Sequence, residues 1–232
     1  MRQLRQADQR KPEMGPESVR DALRTPRAAA IAGVIFAVLL TTILVQLRLA
    51  AQSEPFGPQA WLTNKGIAWV PRLVPFTGIA FLWLIGVVRD RIGRSEDRFF
   101  ATVFLGSGLL FTAMLFVASA IAEAILADAT AAQPQASLAA WELARRVAAL
   151  LLNSYAMRMA AVFMISTATI GLRTRFMPRW LAILGIVIAA ILLLGIEVSR
   201  WVEVLFPLWV LLFSLDTLLG SLKKQAPEIP VS

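Results

Sequence analysis

The stretch Ala28-Ala-Ala-Ile-Ala-Gly-Val-Ile-Phe-Ala-Val-Leu-Leu-Thr-Thr-Ile-Leu-Val-Gln-Leu47 holds no charged residue and is bracketed by Arg27 and Arg48. As a helix rising 1.5 Å per residue it covers about 30 Å, the thickness of a bilayer's hydrocarbon core. The polar prefix of residues 1–27 is long for a signal-peptide n-region, and the apolar part exceeds an h-region. The stretch is therefore expected to persist as a signal-anchor helix.

Working outward, the same criterion finds further apolar runs at 66–88, 99–122, 147–172, 180–196 and 202–222. The predicted fold is all-α: a bundle of six transmembrane helices over 28–222, between a basic tail at 1–27 and a short tail at 223–232. Composition agrees. The chain of 232 residues is 58% hydrophobic and 16% charged, more apolar and less charged than a soluble domain.

The net charge of +8 is read through position. Lys and Arg near span ends accumulate on the cytoplasmic side. The N-terminal tail carries seven, the 89–98 connection four, the 173–179 connection three and the C-terminal tail two, against six on the other face. Both termini are thus predicted in the cytoplasm, as an even span count requires. The basic excess reads as topology, with anionic lipid at the cytoplasmic face as a partner and no nucleic acid. Trp61, Trp69, Trp141, Trp180 and Trp201 fall beside span ends, where indole rings favour the headgroup layer; Trp83 and Trp209 lie deeper and read as packing residues. Ser137 is expected to cap a helix that runs through Trp141 into the fourth span. Gly106, Ser107 and Gly108 read as close helix packing.

Ionisable groups within spans carry the functional argument, since an arginine at a helix centre costs about 2.5–3.5 kcal/mol on insertion scales. Arg158 lies inside the fourth span and Asp216 inside the sixth. Counted from the span ends their depths match, so the two are expected to face each other in the bundle interior, as an ion pair or around a shared ligand. Ser154 and Tyr155 precede Arg158 by four and three residues and share its face, with Asn153 beside them. A second set, Glu123, Arg72, Glu197, Glu203, Arg145 and Arg146, gathers near the opposite span ends, either as an outer vestibule or as ordinary interfacial charges.

The inventory also excludes chemistry. With no Cys and no His there is no disulfide, thiolate nucleophile, imidazole base or histidine metal site. An aspartyl dyad needs two facing deep acids, and only Asp216 is deep. The chain is accordingly expected to be no enzyme and to need no cofactor or metal.

The segment Gly171-Leu-Arg-Thr-Arg-Phe-Met-Pro-Arg-Trp-Leu-Ala-Ile-Leu-Gly185, a short basic turn with Pro178-Arg-Trp-Leu181 before a Gly-containing apolar helix, resembles uncharacterised six-span bacterial membrane families. The resemblance covers about 25 residues, implies a bacterial cytoplasmic membrane, and supplies no activity. Two functional readings follow from the residues: a non-enzymatic membrane component that binds a lipid, small ligand or protein partner (a second copy included), and a small transporter or channel built on Arg158 and Asp216.

Overall fold

The protein is described here by a computed structural model covering residues 26–51, 65–92, 98–131, 136–194 and 201–223. All the elements are helical, and no strand occurs among the described residues. The helices are α1 (Pro26–Ala51), α2 (Lys65–Ile92), α3 (Arg98–Thr130), α4 (Leu138–Leu150), a π turn (Leu151–Ala156), α5 (Met157–Thr174), α6 (Arg179–Leu194), a 3-10 turn (Val202–Val204) and α7 (Leu205–Lys223). Five helical stretches are long and apolar enough to cross a membrane: Ala30–Ala50, Trp69–Arg89, Phe99–Thr130, Leu138–Thr174 and Val202–Gly220. The run predicted at 180–196 forms α6, a shorter apolar helix of 16 residues.

The helices close a ring. α1 packs on α2 and α7, α3 on α2 and α5, and α6 bridges α5 to α7. The centre of that ring is filled by phenylalanines: Phe36 of α1, Phe81 of α2, Phe104 and Phe111 of α3, Phe163 of α5 and Phe206 of α7, all buried. Ring centroids lie 4.5 Å apart for Phe36 and Phe81, and 5.0 Å for Phe81 and Phe163. Phe206 touches Phe111 at 5.3 Å and Phe36 at 5.7 Å, edge to face. Each such pair contributes about 0.5–1.5 kcal/mol beyond its buried area. The outside is as apolar as the inside: Ile31, Ile35 and Val38 on α1, and Ile183 and Val187 on α6, are exposed. A surface of that kind suits lipid, and between helices in lipid it is close packing that holds the bundle together.

Small residues supply the close approaches. A Cβ on Gly33 would fall 2.0 Å from Ser214 Oγ across the α1–α7 contact, and one on Gly108 would fall 2.6 Å from Ile85. Gly185 of α6 lies against the Trp209 indole, whose Nε1 donates to the Leu181 carbonyl at 3.0 Å. Trp209 is thus a packing residue, as its depth suggests, whereas Trp83 is 62% exposed and faces outward. Trp69, Trp180 and Trp201 are exposed, and Trp141 is buried instead of anchoring at a surface.

Two local devices explain the long second and fourth rods. Pro75 has no N–H to give the carbonyl four residues earlier, that of Pro71. Ser119 Oγ on α3 donates to that carbonyl at 3.3 Å, so the break in the ladder is repaired by a neighbour. Ser137 caps α4 as expected, its hydroxyl accepting from the Ala140 N–H at 3.2 Å. From there α4, the π turn and α5 run on without interruption to Thr174. The helix ends with Arg175 in the left-handed region at φ 57°, its N–H donating to the Gly171 carbonyl at 2.9 Å.

Candidate functional site

The residues singled out on the fourth span all lie on one helical rod, and three of them fall inside the π turn. Asn153, Ser154 and Tyr155 belong to Leu151–Ala156, where the backbone pairs i to i+5. Such turns are rare and recur at functional sites. Asn and Ser offer the backbone competing hydrogen bonds, and a run of them within an apolar helix is the local cause at hand. One turn on, Arg158 Nη1 donates to Ser154 Oγ at 2.6 Å. Asn153, Ser154 and Arg158 are half-buried and Tyr155 is 55% exposed.

The cluster points outward. On α5 the buried residues are Met157, Ala160, Ala161, Phe163, Met164, Ser166, Thr167, Ala168, Ile170 and Gly171. At 100° per residue Arg158 projects from the side opposite most of them, in line with half-buried Val162, Ile165 and Thr169 and exposed Leu172. The guanidinium carries five donors, and one of them meets Ser154.

The pair expected between Arg158 and Asp216 is not formed. Trp209 meets Leu181, and Phe213 meets Phe176 of the α5–α6 turn at 6.0 Å. Asp216, half-buried and about one turn farther along α7, is therefore level with that turn. Arg158 lies about 24 Å up α5 from Thr174. Equal counts from the span ends mislead because those ends are not level: Phe213 already meets Phe176 of the α5–α6 turn, and α7 runs on past it to Lys223. That offset carries Asp216 to the far end.

The ion pair the bundle does bury joins Glu203 to Arg48. The Arg48 guanidinium, in the last turn of α1, donates to the Glu203 carboxylate, and the two side chains are 10% and 3% exposed. Both were legible only as span-end charges, Arg48 as topology and Glu203 as part of a vestibule. The signal available was that opposite charges close the same end of two spans.

The other vestibule candidates do not gather around it. Arg145 and Arg146 are on α4, and both donate to Glu142, at 2.7–2.9 Å and 2.7 Å. Arg72 is exposed and stacks its guanidinium 5.1 Å from the Trp69 ring centre. Glu123 is exposed on α3, and Glu197 lies outside the described residues. The physical reason is helix length. The Ser119–Pro71 contact sets the level of Arg72 on α2, and α3 continues about 16 Å beyond it to Thr130, antiparallel to α4. Among the described residues no three carboxylates converge to hold a metal.

No protein family, curated protein or solved structure matches the chain.

Proposed function

We propose that this chain is a six-span membrane component with both termini in the cytoplasm, and that it acts by binding rather than by catalysis or transport. The observation that carries this reading is the distribution of polar groups. Five helices send phenylalanine rings into the centre of the bundle, while Asn153, Ser154, Tyr155 and Arg158 sit on its outer side. A transporter built on Arg158 and Asp216 needs a polar cavity between them, whereas the centre is aromatic and the two charges lie at different levels. Binding of a lipid, small ligand or protein partner at the outer face fits that arrangement, and the 171–185 resemblance implies a bacterial cytoplasmic membrane as the setting. α6, about 24 Å long, serves as the short sixth crossing, accommodated by local thinning of the bilayer and by flanking side chains reaching to the interface.

The test is flux. Vesicles containing the purified protein and a pH-sensitive or anion-sensitive dye should report no more leakage than protein-free vesicles. Flux that the wild type shows and Arg158→Gln abolishes would establish the transporter reading instead. Topology is tested in the same vesicles, because the chain has no cysteine of its own. Single cysteines at Arg175 and Ser232 should react with an impermeant maleimide from one and the same side, and one at Leu138 from the other. Opposite sides for Arg175 and Ser232 would mean five spans.

A further inference from the structure

We propose that the outward face of α5 centred on Arg158 is a docking surface for a transmembrane helix of another protein, one that carries a carboxylate midway along its length. The inference rests on the binding reading above and names the partner's chemistry.

Three observations lead there. Arg158 lies near the middle of the Leu138–Thr174 rod, half-buried, at a helical phase away from most of the buried residues of α5. A guanidinium in that position has a bond to Ser154 and further donors to satisfy in hydrocarbon, where a lone cation is unfavourable and conserves itself only by pairing. Second, the residues in line with it, Arg158, Val162, Ile165, Thr169 and Leu172, follow four- and three-residue steps. That spacing is the seam along which one helix lies against another. Third, among the described residues the chain offers no acid of its own for the position. Among the described residues Glu203 is held by Arg48, and Glu142 by Arg145 and Arg146. Asp128 accepts from the Ala136 N–H, Asp216 lies level with the α5–α6 turn, and Glu123 lies beyond the Ser119–Pro71 level. The described residues of a second copy therefore bring no mid-depth carboxylate to the seam. The π turn adds Tyr155 and Ser154 hydroxyls to the same surface, donors suited to a carboxylate's second oxygen.

The test uses a defined probe. A synthetic leucine-rich transmembrane peptide with one central Glu, and its Gln twin, each carrying an acceptor dye, are titrated into zwitterionic vesicles that hold the full-length protein labelled at Leu138→Cys. Energy transfer to the Glu peptide should saturate at a peptide-to-lipid ratio at least tenfold lower than for the Gln peptide. Arg158→Gln should erase the difference and Arg158→Lys should retain part of it, with helix content and elution unchanged in both. Equal binding of the two peptides, or a Glu preference that survives Arg158→Gln, would overturn the proposal. Transfer between two labelled copies without peptide, lost in Arg158→Gln, would overturn it in favour of self-association. An anionic lipid retained by the wild type and lost from Arg158→Gln in native mass spectrometry, with no Glu preference, would overturn it in favour of a lipid phosphate. None of these outcomes depends on flux, so the binding reading and this surface fail separately.

Discussion

Arg48 and Arg158 both lie within the apolar length of a helix, and they are treated in opposite ways. Arg48 sits near an end, where it could reach water, yet it is buried and closed against Glu203. Arg158 sits midway, where water is farthest, yet it faces out and meets only a hydroxyl among the described residues. The difference teaches that distance along a span does not decide which charge belongs to the structure. The partner does. Arg48 joins the last turn of α1 to the first of α7 and so belongs to the fold, while Arg158 is available to something outside it.

Breaking one side of each contrast tests this. Glu203→Leu leaves the Arg48 guanidinium buried without its carboxylate and should cost about 3–5 kcal/mol, read as a large fall in thermal midpoint in detergent. The double variant Arg48→Met with Glu203→Leu should recover most of that loss. Should Glu203→Leu unfold no more easily than the wild type, the pair contributes nothing to the fold and the contrast collapses. Gly185→Leu forces a side chain into the Trp209 indole, which a Cβ at 185 already approaches at 2.7 Å. Overpacking of this kind should cost about 1–3 kcal/mol, with a shift in tryptophan fluorescence.

Ser119→Ala returns the Pro71 carbonyl to hydrocarbon without a donor, a loss of about 1–2 kcal/mol for an orphaned buried acceptor, seen as faster hydrogen exchange in α2. Ser137→Ala removes the α4 cap and should cost about 1 kcal/mol, with exchange rising in the first turn of α4 only. At the small end, Arg158→Gln should change stability by less than about 0.5 kcal/mol in the isolated protein, because no carboxylate is stranded by it. A loss comparable to that of Glu203→Leu would move Arg158 from the outer surface into the structural set.

The helical elements were largely legible, since a run of apolar residues that must satisfy its backbone internally has one way to do so. The expected runs at 28–47 and 66–88 became α1 and α2 with a few residues added at each end, and Ser137 capped where its position before Leu138 suggests. The over-long α3 and α4–α5 were less legible, because Ala124, Ala127 and Ala139 extend a helix without marking whether lipid or another helix lies beside it. The candidate site divides in the same way. Asn153, Ser154, Tyr155 and Arg158 were found together because helical spacing is a local property. The Arg158–Asp216 pairing failed because it requires the vertical offset of α7 against α5, which no local pattern encodes. The Arg48–Glu203 pair was missed for the same reason.

The π turn at Leu151–Ala156 has a genetic consequence. A turn paired i to i+5 holds one residue more than its α counterpart, so deleting any one of those six codons would let the rod close as ordinary α-helix. Because the extra residue is absorbed within the turn, what lies before it and what lies after it would keep nearly the same phase, whereas a deletion in the regular helix on either side would turn one part against the other by about 100°. Trp141, now buried, and the Glu142–Arg145–Arg146 group would keep their present sides of the rod relative to Arg158 and Phe163. The short polar run thus acts as a point of slack in the helix, and a single-codon deletion there should disturb α4 far less than the same deletion within Met157–Thr174.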